Sequence, residues 1–455
     1  MSPIIVWFRQ DLRLSDNPAL THAVAGGKPV ICLYVLDDET PGDRKMGGAS
    51  RWWLHHSLAA LDAALRGKGG SLVLRRGQAG KIVPALIRET GADAVAWNRC
   101  YEPFAVERDT ALKTALTEKG VTVESSNGSL LTEPWEVKTG GGTPFRVFTP
   151  FWKAARAQLH PGKPHPAPKA IRFHAGVKSE PLKSWKLLPV KPDWAKGFDW
   201  TPGEAAAQEA LDDFLDKISD YGTGRDVPGI DGTSRLSPYL HFGEISPRQV
   251  WHRAKGGDKF LGELGWRDFN HQLLFHYPTL PETPYDARFT KMKWRQSEKD
   301  FIAWTKGLTG VPIVDAGMRQ LWQTGWMHNR VRMITASFLI KHLLVDWRRG
   351  EEWFWDTLVD ADLANNAANW QWVAGSGADA APFFRIFNPV LQGEKFDRAG
   401  AYVRRFVPEL AGVPDKFIHR PWDAPEAPRN YPSPIVDLAA GRDRALAAFR
   451  ALPRG

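Results

Sequence analysis

One stretch of the sequence, DADLANNAANWQW, combines carboxylates, amides and indoles between Asp360 and Trp372. Asp362, Asn366 and Trp370 recur every fourth residue, so they would line one face of a helix. A polar row that ends in tryptophan is a poor core stripe, and when buried it needs a polar ligand to satisfy its hydrogen bonds. The alternative is an exposed helix start with Asp360 near its N-terminus, where a carboxylate is favourable.

A second stretch, residues 221–246, places a glycine-rich loop before Thr233, Ser234 and Ser237. A proline follows Ser237, which is typical of a serine N-cap at a helix start, and the free N–H groups there could bind a phosphate or pyrophosphate. A capped helix after a surface loop would produce the same pattern.

Two further stretches, residues 266–278 and 325–338, have helical spacing and carry aromatic and basic side chains one turn apart. Asn329 and Met333 would share one helix face, which suggests a pocket wall, while Arg330 points elsewhere. We interpret three histidines in these stretches as structural, because their spacing matches no zinc or iron site: His271, His276 and His328.

The elements that would position these residues begin with a predicted sheet. Residues 1–130 alternate short apolar runs with helical patterns, which predicts an α/β domain with a parallel, Rossmann-like sheet. Its strands are predicted at residues 4–8, 30–36, 71–76, 94–98 and 121–125, and its helices at 51–67, 81–90 and 102–119. No G-x-G-x-x-G motif follows the first strand, so a nucleotide pocket there would need other contacts.

The rest of the chain has a different character. Residues 131–200 are rich in proline, glycine and tryptophan, which predicts a long interdomain linker. From residue 201 to 455 strand patterns almost vanish and helical periodicity takes over, as in AAAQEALDDFLDKI and RVRMITASFLIKHLL. This periodicity predicts an all-α C-terminal domain.

The composition limits the function classes. Only two cysteines occur, Cys32 and Cys100, which excludes a disulfide framework and a cluster held by four thiolates. The formal charge of +9 suits a polyanionic partner as well as an ordinary soluble protein, and 21 tryptophans beside 8 tyrosines suggest stacking or redox work besides packing. No apolar run near the start is long enough for a signal sequence or a membrane span, so a cytoplasmic protein is expected.

Five segments, in the same order, resemble the DNA photolyase and cryptochrome family. They are VWFRQDLRLSDNPAL (6–20), GTSRLSPYLHFGEISPRQ (232–249), GWMHNRVRM (325–333), DADLANNAANWQW (360–372) and DAAPFFRIFNPVLQGEKFD (379–397). The resemblance extends over nearly the whole chain. It implies an N-terminal α/β antenna domain, a long linker and a C-terminal helical domain that binds FAD in a U-shape.

The resemblance also implies which residues hold FAD. The phosphates and the ribityl chain would be bound by Tyr221, Thr233, Ser234, Leu236 and Ser237. Arg267 would help to hold the cofactor, Arg332 would pair with Asp360 beside the flavin, and Asp362 would hydrogen-bond the flavin and ribityl region. Asn366 would face flavin N5, where an amide cannot donate a full proton and so favours the anionic reduced flavin.

Further residues are implied for electron transfer and for the substrate. The tryptophans that would reduce the flavin in the light are Trp370, Trp347 and Trp294. In the lesion pocket Trp266 and Trp372 would stack on the damaged bases, with Glu263, Asn329 and Met333 as the other contacts. Glu263 is expected in an apolar pocket that raises its pKa, so that it is protonated and donates to a thymine carbonyl. The residues expected to contact the lesion strand backbone are Arg225, Arg330 and Arg385.

Departures from the family patterns narrow the lesion type. Enzymes for the (6-4) photoproduct place histidines in the helix that here carries Asn329 and Met333, so the resemblance favours cyclobutane pyrimidine dimers. Two cysteines exclude the branch that holds an iron–sulfur cluster. Phe260 stands where the commonly described bacterial branch has a tryptophan near the flavin, so that packing contact is changed.

The residues around the expected antenna chromophore depart from the family pattern. Positions that bind folate in that bacterial branch differ here, so its binding mode does not carry over: Phe104, Ala105, Pro281 and Glu282. Glu102 is expected to bind methenyltetrahydrofolate in the manner of another photolyase branch. The alternative chromophore is 8-hydroxy-5-deazaflavin, although Cys100 falls where that branch has an acidic residue.

Together these observations predict a monomeric enzyme that repairs cyclobutane pyrimidine dimers in UV-damaged DNA. Blue light would drive electron transfer from reduced FAD to a flipped-out dimer, and the electron would return after the ring splits. The main alternative is a cryptochrome-type photoreceptor with a signalling function, since function resides in the site rather than in the fold. A non-catalytic nucleic-acid-binding protein would leave the polar row at residues 360–372 unexplained.

Overall fold

The N-terminal part of the protein is built on one parallel sheet. A computed structural model describes residues 1–380, 384–426 and 428–453. The sheet has five strands in the order β3-β2-β1-β4-β5. They are β1 (Ile4–Phe8), β2 (Val30–Leu36), β3 (Leu72–Arg76), β4 (Ala94–Asn98) and β5 (Thr122–Ser126). Each predicted strand is present to within one residue, and the α/β prediction is confirmed.

Helices cover both faces of this sheet. They are α1 (Pro18–Ala25), α2 (Gly48–Arg66), α3 (Ala79–Thr90) and α4 (Pro103–Thr117). Strands β1, β2 and β4 are buried along their whole length, which explains why they are continuous apolar runs in the sequence. The strand order reverses between β1 and β4, and in such sheets ligands bind in the crevice at the carboxyl ends of the two strands.

The connection after the sheet contains a helix that the sequence pattern did not reveal. Helix α5 (Phe148–Gln158) lies inside the predicted linker and buries Phe151 and Ala155. Both side chains join a core cluster with Phe269 from the helical part. The surrounding prolines and glycines obscured this short helix, whose stability comes from packing rather than from propensity. The predicted limits of the linker and of the two domains stay a prediction.

After residue 200 the described residues form helices and connecting loops without a strand. The helices are α6 (Glu204–Leu215), α7 (Tyr221–Gly224), α8 (Ser237–His241), α9 (Pro247–Arg253), α10 (Asp258–His276), α11 (Glu298–Thr305), α12 (Pro312–Thr324), α13 (Asn329–Ser337), α14 (Trp347–Thr357), α15 (Leu363–Ala374), α16 (Pro389–Phe396), α17 (Ala401–Phe406) and α18 (Leu438–Arg450). A π-helical turn, Phe338–His342, continues α13. None of the helices in the described ranges is long and apolar enough to cross a membrane.

Buried polar contacts join the sheet to the helical part. The fully buried Arg13 donates hydrogen bonds to the carbonyl oxygens of Asp16 and Gly243, at 2.7 and 2.8 Å. The Asp16 carboxylate in turn pairs with Arg248 of α9 at 2.5 Å. Gly243 has a left-handed backbone (φ +64°), and a side chain there would collide with the Gln10 carbonyl. These contacts hold the loop after β1 against the helices in one arrangement.

The same interface buries an acidic side chain, Glu244. Its carboxylate accepts hydrogen bonds from the Trp53 indole, at 3.0 Å, and from the Ser57 hydroxyl, both on α2. Burial raises the pKa of Glu244 to about 8, and the two hydrogen bonds offset only part of that effect. The folded protein therefore holds a proton on Glu244 that the unfolded chain releases at lower pH.

We expect this proton to make the stability depend on pH. Because the folded-state pKa is raised, the stabilisation is complete below the ordinary glutamate pKa and is lost as the pH rises towards 8, with a slope of up to ~1.4 kcal/mol per pH unit. Glu244→Gln should flatten this dependence, because an amide does not titrate. Denaturant unfolding of both proteins at several pH values measures the difference, and parallel pH profiles would contradict the role given to Glu244.

Candidate active site

A cavity of about 490 Å³ lies in the helical part, between α10, α13 and α15. All of the predicted flavin-binding residues line it, and so do Trp370 and the predicted lesion-facing residues with the exception of Arg385. The structure thus brings together side chains from positions 221 to 372 of the chain. The roles of the individual residues stay predictions, but their common location does not depend on those roles.

One end of the cavity is rich in hydroxyl groups. Thr233 and Ser234 lie in the loop before α8, and Ser237 is the first residue of that helix. The predicted serine N-cap is wrong: Leu236 occupies the cap position, and the Ser237 hydroxyl instead donates to Asp360 Oδ2 at 2.6 Å. The hydroxyl is used for a long-range contact, because the helix start faces the loop before α15.

Asp360 has one oxygen engaged and one free. Its Oδ2 atom also accepts a hydrogen bond from Arg332 Nη2 at 2.8 Å, so the expected Arg332–Asp360 pair is present. Its Oδ1 atom is buried and has no hydrogen-bond partner in the described part of the chain. A buried carboxylate oxygen without a donor is costly, so this atom is suited to accept a hydrogen bond from a ligand.

Asp362 is the N-cap of α15 and a buried carboxylate that lines the cavity. Its Oδ1 atom accepts from the Asn365 N–H at 2.8 Å. Two histidine rings approach Oδ2, His271 Nε2 at 3.4 Å and His241 Nδ1 at 3.7 Å. Burial alone would raise the pKa of Asp362, but the attraction and hydrogen bonds of His271 and His241 together outweigh it and hold that pKa well below the usual range. The same attraction raises the pKa of His271 despite its burial.

Asn366 is fixed by a relay that reaches into the N-terminal part. Its amide nitrogen donates to the backbone oxygen and to Oε1 of Glu351, at 3.0 and 2.8 Å. The other carboxylate oxygen of Glu351 accepts from Arg44 at 2.6 Å. Because Glu351 offers only acceptors to the amide, the NH₂ group of Asn366 must face it, which leaves the amide oxygen for the cavity. Reasoning from the sequence missed Glu351 and Arg44.

The lesion side of the cavity differs from the expectation at one residue. Glu263 does not lie in an apolar pocket, because its carboxylate forms an ion pair with Arg225 and is one-third exposed. The prediction of an apolar pocket around Glu263 is therefore wrong. Its partner Arg225 is 38 residues away in the sequence, so the local pattern does not reveal the salt bridge. Arg330 is paired as well, with Asp226 at 2.8 Å. Arg267 donates to the Ser129 carbonyl and lines the cavity.

The three predicted electron-transfer tryptophans range from buried to half-buried. Trp370 lines the cavity, and Trp347 is buried in the same hydrophobic cluster. Trp294 packs at the edge of this cluster and is half-buried. Trp347 Nε1 has no hydrogen-bond partner within the described ranges. The decrease in burial from Trp347 to Trp294 agrees with the predicted role of these residues as an electron relay.

The predicted antenna residue Glu102 lies far from this cavity, at the carboxyl end of β4. It is buried at the start of α4, and its Oε1 atom accepts a hydrogen bond from Gln10. Its Oε2 atom is buried and has no partner among the residues that the structure describes. Cys100 nearby is also buried, which raises the pKa of its thiol to about 12. Glu102 therefore offers an unused acceptor at the β1–β4 crevice.

Comparison with known proteins places this architecture. Residues 4–169 match a family described as DNA photolyase, and residues 260–451 match the FAD binding domain of DNA photolyase. A deoxyribodipyrimidine photo-lyase of Agrobacterium fabrum is 55% identical over 100% of this chain and 98% of its own length. Cryptochrome-1 of Arabidopsis thaliana is 39% identical over 97% of this chain and 69% of its own length. The crystal structure of a bacterial class III photolyase from Agrobacterium tumefaciens has a TM-score of 0.96 at 55% identity, over 99% of this chain and 98% of that one.

Fold and site thus define a two-domain flavoprotein, with an α/β domain and a helical FAD-binding domain. The chain belongs to the DNA photolyase and cryptochrome family. The family and the two-domain fold predicted from the sequence are confirmed. The residues of the cavity fit FAD. The buried Asp360 Oδ1 atom has no donor in the described part of the chain, and the Asn366 amide oxygen is turned away from Glu351. Asp362 adds a charged carboxylate, and hydroxyl groups line the same cavity.

We expect Asn366→Asp to change the protonation of bound flavin. An aspartic acid there would lie against the Glu351 carboxylate, and like charges at this distance favour a shared proton that an amide does not carry. Illuminated protein should then accumulate more of the protonated one-electron-reduced flavin, measured by its visible absorbance. Asn369→Asp, one turn further along α15, is the matched control and should behave like the wild type. Identical spectra for all three proteins would contradict the contact between Asn366 and N5.

Proposed function

We propose that this protein is a light-driven deoxyribodipyrimidine photolyase that repairs cyclobutane pyrimidine dimers in DNA. The observation that carries the proposal is the single cavity that joins acceptors suited to a flavin with two indoles suited to stacking on bases. The 55% identity to a deoxyribodipyrimidine photo-lyase over the whole chain supports the same activity. Cytoplasmic location and a monomeric state stay predictions.

FAD would be held by three groups of contacts. Hydroxyls and backbone groups of residues 233–237, with Tyr221, surround the end suited to the phosphates and ribityl chain. Arg332 and Arg267 line the same cavity and offer cationic donors. Asp362 and Asn366 present acceptors to the ring system, which matches the N–H groups of a reduced flavin. When bound and excited by blue light, reduced FAD supplies the electron that splits the cyclobutane ring and recovers it afterwards.

The protein's own part in repair is to extract and hold the dimer. Trp266 and Trp372 both line the cavity and would stack on the two flipped bases. Asn329 and Met333 form the wall from α13, where the Asn329 amide can donate to a thymine carbonyl. Glu263, with Arg225 beside it, offers a carboxylate to the N–H groups of the bases. Because the electron returns, splitting of the ring involves no net oxidation or reduction.

DNA binding would depend on arginines around the cavity. Arg225 and Arg330 line it, and Arg385 lies near Trp372, with the guanidinium 5.7 Å from the indole centre. The ion pairs of Arg225 and Arg330 with acidic neighbours leave further N–H groups for phosphates, since a guanidinium carries five donors. Such contacts position the strand without reading sequence, so the affinity should fall with salt. The relay of Trp370, Trp347 and Trp294 would restore reduced FAD from the surface.

The antenna chromophore belongs to the same proposal. We assign methenyltetrahydrofolate to the crevice beside β4, because the buried Glu102 Oε2 atom can accept hydrogen bonds from a pterin. The alternative, 8-hydroxy-5-deazaflavin, would meet the buried Cys100 thiol at a position where an acidic group is expected. The extracted chromophore's absorption spectrum distinguishes the two.

A repair assay tests the activity directly. Purified protein with reductant and blue light should convert an oligonucleotide with one thymine dimer into the intact strand, and no conversion should occur in the dark. Trp266→Ala should weaken binding of the dimer about tenfold, as expected for the loss of one stacking surface. Trp322→Ala, which removes a half-exposed indole elsewhere, is the control.

The same assay separates the enzyme from the alternative function. If the protein binds FAD but returns no intact thymines under illumination, the photolyase proposal fails. A cryptochrome-type photoreceptor would then be favoured, in agreement with the 39% identity to a plant cryptochrome.

A further inference from the structure

A short segment of the connection, residues 145–148, contacts Trp266 directly and reaches Trp372 through Asp379. It lies at the start of α5 and belongs to neither the sheet nor the helices that form the cavity. We infer that this segment is a positioning element that sets the planes and the separation of Trp266 and Trp372. The inference rests on the proposed function, because it concerns how the same cavity receives a flipped dimer.

The contact with Trp266 is a face-to-face stack. The Phe148 ring lies over the indole with the ring centres 3.7 Å apart and the planes within 10°. Trp266 lines the cavity and Phe148 does not, so Phe148 covers the side of the indole that is turned away from the ligand space. A second ring, Phe269, meets the indole edge-on at 5.8 Å. The plane on which a base would stack is thus fixed from behind by the connection.

The contact with Trp372 runs through one intermediate residue. The Trp372 indole N–H donates to the Asp379 carbonyl at 3.0 Å, and the Asp379 N–H donates to the Arg146 carbonyl at 3.1 Å. Asp379 has a left-handed backbone (φ +56°), a conformation that aspartate and asparagine tolerate better than most residues. The strained turn is therefore held between the connection on one side and the indole on the other.

The segment itself is anchored to the cavity wall. Gln272 of α10 donates its side-chain amide to the Phe145 carbonyl at 3.1 Å. Arg146, between this anchor and the Phe148 stack, supplies the carbonyl that holds Asp379. Four consecutive residues thus connect α10 with the turn that follows α15. A shift of the segment would move both stacking surfaces, whereas the hydrogen bonds that hold Asp360, Asp362 and Asn366 come from residues outside the segment: Ser237, Arg332, Asn365 and Glu351.

A matched pair of phenylalanine variants tests the inference. Phe148→Leu removes the planar ring behind Trp266 and keeps an apolar side chain. Phe145→Leu makes the same change three residues earlier, where the ring meets Phe151 edge-on and has no ring contact with either indole in the described ranges. The Phe145 carbonyl that Gln272 holds is unchanged by this substitution. The measured quantity is the ratio of Kd values for an undamaged oligonucleotide and for the same strand with one thymine dimer. Bound flavin absorbance and the unfolding temperature are recorded for each protein.

We expect Phe148→Leu to lower this ratio about tenfold. Phe145→Leu should retain the wild-type ratio, and so should Phe148→Tyr, which keeps a planar ring behind Trp266. All variants should retain flavin. An unchanged ratio in Phe148→Leu overturns the inference, as does an equal loss in Phe145→Leu, which would reveal a general packing effect. A wild-type protein without preference for the dimer overturns the proposed function and this inference together. The two failures are therefore distinguishable.

The connection to Trp372 has its own pair of variants. Asp379→Ala disfavours the left-handed backbone that aims the carbonyl at the indole, whereas Asp379→Asn tolerates it. The ratio should fall in the alanine variant and stay near the wild-type value in the asparagine variant. Equal ratios in both variants would overturn the role of the turn at Asp379.

Discussion

The buried charge on Asp362 is the interaction on which the rest of the site depends. A carboxylate in the interior needs compensation, and here it comes from the first turn of α15 and from the His271 ring. The N-cap contact fixes where α15 begins, and with it the positions of Asn366, Trp370 and Trp372 along the helix. Residues 360–372 therefore combine a helix start, the charged Asp362 carboxylate and the indoles of Trp370 and Trp372.

The acceptors of the cavity share a physical feature. Asp360 and Asn366 each have one polar atom held by the protein and one left for the ligand, while Asp362 contributes a carboxylate whose charge the protein balances. A surface of this kind favours a ring system that carries N–H groups and disfavours one that carries only acceptors. Trp266 and Trp372, the indoles predicted to face the lesion, border the same cavity as these acceptors.

The sequence could predict much of the fold and the outline of the site. Short apolar runs located all five strands, most clearly β1, β2 and β4, which are buried along their whole length. Helical periodicity separated the second domain, and the family resemblance identified residues that the structure gathers in one cavity. The apolar runs and the helical periodicity are local signals, and the family resemblance rests on continuous sequence motifs.

What the sequence could not predict depends on long-range contacts. Arg44 reaches Glu351 across 307 residues, and Arg225 pairs with Glu263, which was expected in an apolar setting. Helix α5 was missed because its stability comes from packing against α10. Ser237 was expected to cap its own helix but bonds Asp360 instead. In each case the partner is chosen by tertiary structure, which local spacing does not encode.

The central claim is that one cavity receives both the flavin and the lesion. A crystal structure of the FAD-loaded protein bound to a duplex with a single thymine dimer tests it most directly. The account predicts that the isoalloxazine ring contacts Asp362 and Asn366 and that the dimer, turned out of the helix, lies against Trp266 and Trp372 in the same cavity. A flavin bound elsewhere, or a dimer that remains stacked in the duplex, would contradict it.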